Sequence, residues 1–183
     1  MLYIHPNSLF DSPLCKEKWK IVNNIQENKQ NFRWEYHNKS KNNNKIKCGA
    51  IVLNKNLDEL ILIQNNYSLM KGEEKWGLPK GHREGNETYA TCAKRELYEE
   101  TGIITSIQDD MYKLRINNSY YFPIIIEKNL YKLSPLDREE IAQAKWIKIE
   151  HLEKYNVNRE TKILIKRKLK SLIKSLKKGF IHK

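Results

Sequence analysis

Residues 81–103 read GHREGNETYATCAKRELYEETGI, and they carry three glutamates, Glu96, Glu99 and Glu100, just ahead of Gly102. A glycine-rich loop, a capping residue at Asn86, an acid at Glu87 and a stop at Gly102 predict a helix over 87–101. Ala90, Ala93, Leu97 and Thr101 recur at steps of three and four and form its packing face. Acids at a helix C-terminus oppose the helix dipole, by about 0.3–1 kcal/mol each. Positions i, i+3 and i+4 bring the three carboxylates onto one patch, where they repel one another. Arg95, four residues before Glu99, restrains one of them. A hard divalent cation, Mg²⁺ or Mn²⁺, relieves the rest, because it takes carboxylate oxygens together with water and phosphate. Glycine before the helix lets backbone approach such an ion, since it carries no Cβ. A local rule broken in this way is what a functional site looks like.

The rest of the 183 residues is consistent with one folded domain plus short extensions. Hydrophobic residues make up 39% of the chain, with ten tyrosines and four tryptophans, which excludes a wholly disordered protein. No apolar run is long enough to span a bilayer, and MLYIHPNSLFDSP at the start lacks the layout of a signal peptide. Cys15, Cys48 and Cys92 are odd in number and widely spaced, pointing to a reducing compartment, cytoplasmic or nuclear, rather than to disulfides. The net charge of +12 favours polyanionic partners, although lysine supplies 27 of the 34 basic residues and asparagine is abundant, as in AT-rich genomes.

Residues 1–45 read as an N-terminal extension: a short amphipathic helix around Trp19, Val22 and Ile25, then a polar loop through FRWEYHNKSKNNNK. Residues 46–183 form the main domain. IKCGAIVLN (46–54) and DELILIQNN (58–66) are a pair of buried strands, and WGLPKGHREGNE (76–87) is a loop with tight turns. KLRIN, YYFPIIIE and AKWIKIE are further strands, with breaks expected at Pro123 and SPLD. A basic amphipathic helix over 158–178, capped by Asn158 and stopped by Gly179, buries Ile165, Leu169, Leu172, Ile173 and Leu176. From Arg159 to Lys178 it carries nine basic residues and one acid, Glu160.

Gly81, five residues, Glu87, seven residues, Arg95-Glu96-Leu97, one residue, Glu99-Glu100, one residue, Gly102-Ile103 resembles the full motif of the Nudix hydrolases. At ordinary residue usage, seven fixed positions coincide by chance on the order of once in 10⁹ starts. The resemblance implies an α/β fold, an α/β/α sandwich around a mixed sheet, and hydrolysis of a nucleoside diphosphate linked to another group. It further implies Mg²⁺ or Mn²⁺ held by Glu96, Glu99 and Glu100 with the Gly81 carbonyl, while Glu87 and Arg95 buttress the loop.

Beyond the motif the chain is similar to the catalytic subunit of the mRNA decapping enzyme, over about 46–178. The similar stretches are CGAIVLNKNLDELILIQ (48–64), KWGLPKGHREGNE (75–87), CAKRELYEETGI (92–103) and EEIAQAKWIKIEHL (139–152). That similarity implies capped RNA as partner and Glu140 as an acid assisting catalysis beside Glu99 and Glu100, with Glu139 adjacent. Lys80 becomes a phosphate contact. Lys162, Lys166, Arg167 and Lys170 on the final helix become RNA contacts, against the readings of a merely solvated face or a lipid-surface helix. The decapping family carries a larger helical domain before its hydrolase domain. Here Trp19, Trp34 and Tyr36 are the aromatics available to stack on a methylated guanine. A shortened enzyme of the kind large DNA viruses carry fits this plan, with no obligatory protein partner and no membrane. The alternative within the family is hydrolysis of dinucleoside or diphosphoinositol polyphosphates, and outside catalysis, an RNA-binding protein that keeps the fold.

Overall fold

A computed structural model of the chain describes residues 46–179. The expected helix around Trp19, the loop after it, and Trp34 and Tyr36 lie outside the described residues. The two apolar runs form an antiparallel hairpin, β1 (Lys47–Asn54) and β2 (Glu59–Asn65). Asn54 closes its turn: the side-chain oxygen accepts the N–H groups of Asp58 and Glu59, both at 3.0 Å. Two short strands follow, β3 (Trp76–Gly77) and β4 (Lys80–His82), inside the stretch expected to be loop. The sheet is completed by β5 (Leu114–Ile116), β6 (Ser119–Ile126) and β7 (Ile141–Lys148). β6 runs parallel to β1 in register from Lys47 opposite Ser119 to Asn54 opposite Ile126, and the remaining pairings are antiparallel. Among the described residues the result is a mixed seven-stranded sheet.

Alternation along β1 sends its side chains to two cores. Cys48, Ala50 and Val52 join Ile61, Phe122 and Ile124 against Ala90, Ala93 and Leu97 of a helix at Tyr89–Thr101, the motif helix. Ile51 and Leu53 join Leu60, Leu62 and Tyr121 on the opposite face, under Leu164, Leu169, Leu172 and Leu176 of the C-terminal helix. This is the expected α/β/α sandwich. The C-terminal helix starts at Asn158, whose side chain accepts the Thr161 N–H, and runs from Arg159 to Lys177. A π-helical turn at Leu164–Lys168 rotates its contact face, so Leu164 is buried and Ile165 lies half-buried at the margin.

Two local expectations need correction. Pro123 does not break a strand: it lies inside β6, opposite Ile51. β5 pairs only with Ser119–Tyr121, so past that point the outer edge of β6 has no described strand to satisfy, and a residue lacking an N–H is tolerated there. The motif helix is capped by Thr88 rather than Asn86; the Thr88 hydroxyl accepts the Thr91 N–H at 3.1 Å. Residues 84–87 form a turn instead, closed by the Glu87 N–H on the Glu84 carbonyl at 2.9 Å.

Candidate active site

β4 hangs from the start of β1, with Cys48 opposite Gly81. Beneath it, the motif helix presents Glu96 so closely that a Cβ on Gly81 would lie 2.1 Å from the carboxyl group. Only glycine lets this backbone and this acid meet. Glu96, Glu99 and Glu100 are 8%, 9% and 5% exposed, so the acid patch is buried rather than a solvated face. Buried carboxylates need partners, and Arg95 supplies most of them. Its guanidinium donates to Glu87 at 2.8 and 3.1 Å, to Glu96 at 2.7 Å, to Glu99 at 3.1 Å and to the His82 carbonyl at 2.9 Å. Glu87, displaced from the helix by the Thr88 cap, also accepts the Glu84 N–H and so ties the 84–87 turn to the same guanidinium. Glu100 accepts the Lys80 N–H at 2.6 Å.

Burial first, with Glu99 next among the opposing charges, pushes Glu96 up to about 7 against the pull of Arg95. Burial and the charge of Glu96 raise Glu100 well above the carboxylate range. Both groups therefore hold their charge at the expense of folding unless further positive charge arrives. The helix end that carries them is tied to the segment that follows. The carbonyls of Tyr98, Glu99 and Thr101 accept N–H groups from Gly102, from Leu136 and Asp137, and from Ser134. Gly102 adopts a left-handed conformation (φ +78°), and a Cβ there would meet the Ser134 carbonyl at 2.7 Å.

That docked segment delivers Glu140. Its backbone carbonyl accepts the Asn66 N–H at 2.7 Å and its carboxylate accepts from the Asn65 side chain at 3.2 Å, while the Asn66 side chain holds the carbonyls of Arg138 and Glu139. The charge of Glu140 reaches Glu96 and Glu100 and raises both. The Asn65–Asn66 pair at the end of β2 is a support that sequence reading missed, and the doubled asparagine was its only signal.

The donor set suits a hard divalent cation: two or three buried carboxylates, a strand carbonyl at Gly81 that also faces the weak Cys92 thiol donor at 3.8 Å, and charge left uncompensated. Among the described residues no three acid, histidine or cysteine side chains already converge as a chelate. Mg²⁺ and Mn²⁺ commonly bind through one or two carboxylates and take their remaining oxygens from substrate phosphate and water, so the site fits ions that share a phosphorylated ligand.

The Lys80 side chain is paired with the C-terminal helix. While its N–H meets Glu100, its ammonium lies 3.5 Å from Glu160 on the C-terminal helix. Lys162, Lys166, Arg167 and Lys170 are all exposed on that helix, across the sheet from the motif helix, and the structure does not gather them with the acids. Among the described residues no helix is long and apolar enough to cross a membrane.

The Nudix-domain family model matches residues 44–168. The chain belongs to the Nudix hydrolase family. It is 30% identical to Nudix hydrolase 7 of Arabidopsis thaliana over 112 residues, which cover 57% of this chain and 39% of that protein. It is 27% identical to the m7GpppN-mRNA hydrolase of Saccharomyces cerevisiae over 146 residues, 77% of this chain and 14% of the yeast protein. The Nudix chain therefore spans well under two thirds of the length of these relatives. In fold it is similar to the Ap4A hydrolase of C. elegans, with a TM-score of 0.53 at 22% identity over 72% of this chain and 98% of that one.

Proposed function

We propose that this Nudix hydrolase cleaves the 5′ cap of RNA, releasing 7-methylguanosine diphosphate and leaving a 5′-monophosphate RNA. The observation that carries this reading is the reach of the similarity to the yeast m7GpppN-mRNA hydrolase. It extends over 77% of the chain, against 57% for Nudix hydrolase 7. The exposed basic side chains of the C-terminal helix give a capped polyanion a place to lie.

In this reading Glu96, Glu99 and Glu100, with the Gly81 carbonyl, hold Mg²⁺ or Mn²⁺. When bound, the ions neutralise pyrophosphate oxygens and lower the pKa of a water molecule. Arg95 and Glu87 keep the carboxylates and the preceding loop in place. Glu140, at the rim of the site, takes the proton of the attacking water as its oxygen bonds to phosphorus. The bond from that phosphorus to the bridging oxygen then breaks, and the bridging oxygen leaves on the other product. Lys80 contacts a phosphate, and Lys162, Lys166, Arg167 and Lys170 run along the RNA backbone, where each neutralised phosphate releases counterions.

Hydrolysis of RNA labelled in its cap phosphate, with Mn²⁺ or Mg²⁺ and a Glu99→Gln control, tests the proposal. Methylated guanosine diphosphate released by the parent protein and lost in the control is the expected result. Turnover of diadenosine or diphosphoinositol polyphosphates with capped RNA left intact would overturn the RNA reading and keep the Nudix chemistry.

A further inference from the structure

Glu160 is the single acid among nine basic residues on the C-terminal helix, and it does not face water with them. Its carboxylate accepts a hydrogen bond from the Tyr121 hydroxyl at 2.7 Å and one from the Ser119 hydroxyl at 2.9 Å. Both donors are buried residues of β6, at 0% and 1% exposure. The third partner is the ammonium of Lys80 at 3.5 Å. An acid in the first turn of a helix gains from the helix dipole while fully solvated. The dipole therefore explains neither the partial burial of this side chain nor the two buried hydroxyls that meet it.

The partner is the informative part. Lys80 immediately precedes Gly81, and its own N–H is the hydrogen bond to Glu100. The strand that sets Gly81 over Glu96 is thus held by two carboxylates, Glu100 on the Lys80 backbone and Glu160 on its side chain. Lys47 lies in the same rim, with Lys47 opposite His82 in β4 and opposite Ser119 in β6. Burial first, and then the charge of Lys80, pushes Lys47 below the usual lysine value, while Glu160 acts to raise it. Two ammonium groups sharing a half-buried rim need an anion to hold them there, and Glu160 is placed to be that anion. Burial and the same carboxylate push the Tyr121 phenol up, so Tyr121 remains a donor to Glu160.

We propose that Glu160 is a positioning residue of the hydrolytic site: fixed by Tyr121 and Ser119, it holds the Lys80 ammonium on the strand that carries Gly81. It thereby ties the basic helix to the phosphate-binding side of the site. The inference rests on the reading of Gly81, Lys80 and the motif acids as the hydrolytic site, and it does not depend on which diphosphate is cleaved.

The experiment compares the parent protein with Glu160→Gln, Lys80→Met and the double variant, using both cap-labelled RNA and diadenosine tetraphosphate. For each, kcat, KM and the thermal midpoint are measured. Glu160→Gln is expected to lower kcat about tenfold, a change of about 1.4 kcal/mol, on whichever substrate the parent turns over, with KM within about twofold. The double variant is expected to be no slower than Lys80→Met, because Glu160 acts through Lys80. Lys80→Arg, which keeps the charge, retains most of the activity. A thermal midpoint lowered with kcat unchanged, or single effects that multiply in the double variant, would overturn the proposal. If diadenosine tetraphosphate is cleaved and capped RNA is not, the decapping reading fails while Glu160 is still tested on the smaller substrate. If neither is cleaved, the decapping reading fails and Mn²⁺ affinity decides for Glu160: equal affinity in the parent and Glu160→Gln overturns the proposal.

Discussion

On the motif helix Glu96, Glu99 and Glu100 are buried; the Arg95 guanidinium holds the first two and the Lys80 N–H meets the third. On the C-terminal helix, across the same sheet, Lys162, Lys166, Arg167 and Lys170 stand exposed and the one acid, Glu160, is turned inward. Both helices are crowded with one sign of charge, and by composition alone either could be a solvated face. Burial separates them. Charges left in water interact weakly and are cheap to remove, whereas charges taken out of water must be answered by specific partners and report a purpose for the site.

The largest expected effect follows from removing the answering charge. Arg95→Met leaves Glu87, Glu96 and Glu99 without their guanidinium and is expected to destabilise the metal-free protein by about 3–5 kcal/mol in urea unfolding. Lys166→Met is expected to change stability by less than about 0.5 kcal/mol. Equal losses from the two variants would break the comparison.

A somewhat smaller effect is expected from pH. Glu96 moves from an ordinary value of 4.5 up to about 7 on folding, chiefly through burial. Between those values the folded protein binds more protons than the unfolded chain, so stability falls as pH rises through this window. The loss attributable to Glu96 is on the order of 3 kcal/mol, and Glu100 acts in the same direction. Thermal unfolding in a chelator should therefore show a lower midpoint at pH 8 than at pH 5, and Mn²⁺ at pH 8 should recover it. A midpoint that rises with pH in the chelator would show that the acids are already fully compensated.

The weakest effect belongs to the exposed helix. Lys166→Gln with Lys170→Gln is expected to reduce the salt dependence of single-stranded RNA binding by about 1.4 in log–log slope. An unchanged slope would move the RNA path off this helix and sharpen the contrast, leaving its lysines as solvated charge only.

Much of this contrast was legible in the residues themselves. Apolar runs marked β1, β2, β6 and β7, and steps of three and four marked the packing faces of both helices, because those signals are local and repeat. β3 and β4 were hidden in a glycine- and proline-containing stretch that reads as loop, and they become strands by pairing with β2 and β1. The choice of Thr88 over Asn86 as cap turns on a competing demand: Glu87 is needed in the preceding turn to meet Arg95, eight residues on. The motif acids could be read from spacing, but their burial could not. Glu160 was visible as the odd acid of a basic helix, yet its partners Ser119 and Tyr121 lie about forty residues away in the chain, and only the packing of the helix on β6 brings them together.

In the proposed function the buried acids of the motif helix are a metal site used with a phosphorylated substrate. Mn²⁺ binding, followed by the electron paramagnetic resonance of the free ion, tests it with the parent protein and Glu99→Gln, each with and without a non-hydrolysable cap analogue. The analogue is expected to strengthen Mn²⁺ binding to the parent, and Glu99→Gln to weaken it at least about tenfold, the 1.4 kcal/mol scale of one lost charge-assisted contact. Equal Mn²⁺ affinity in the two proteins, with no response to the analogue, would contradict it.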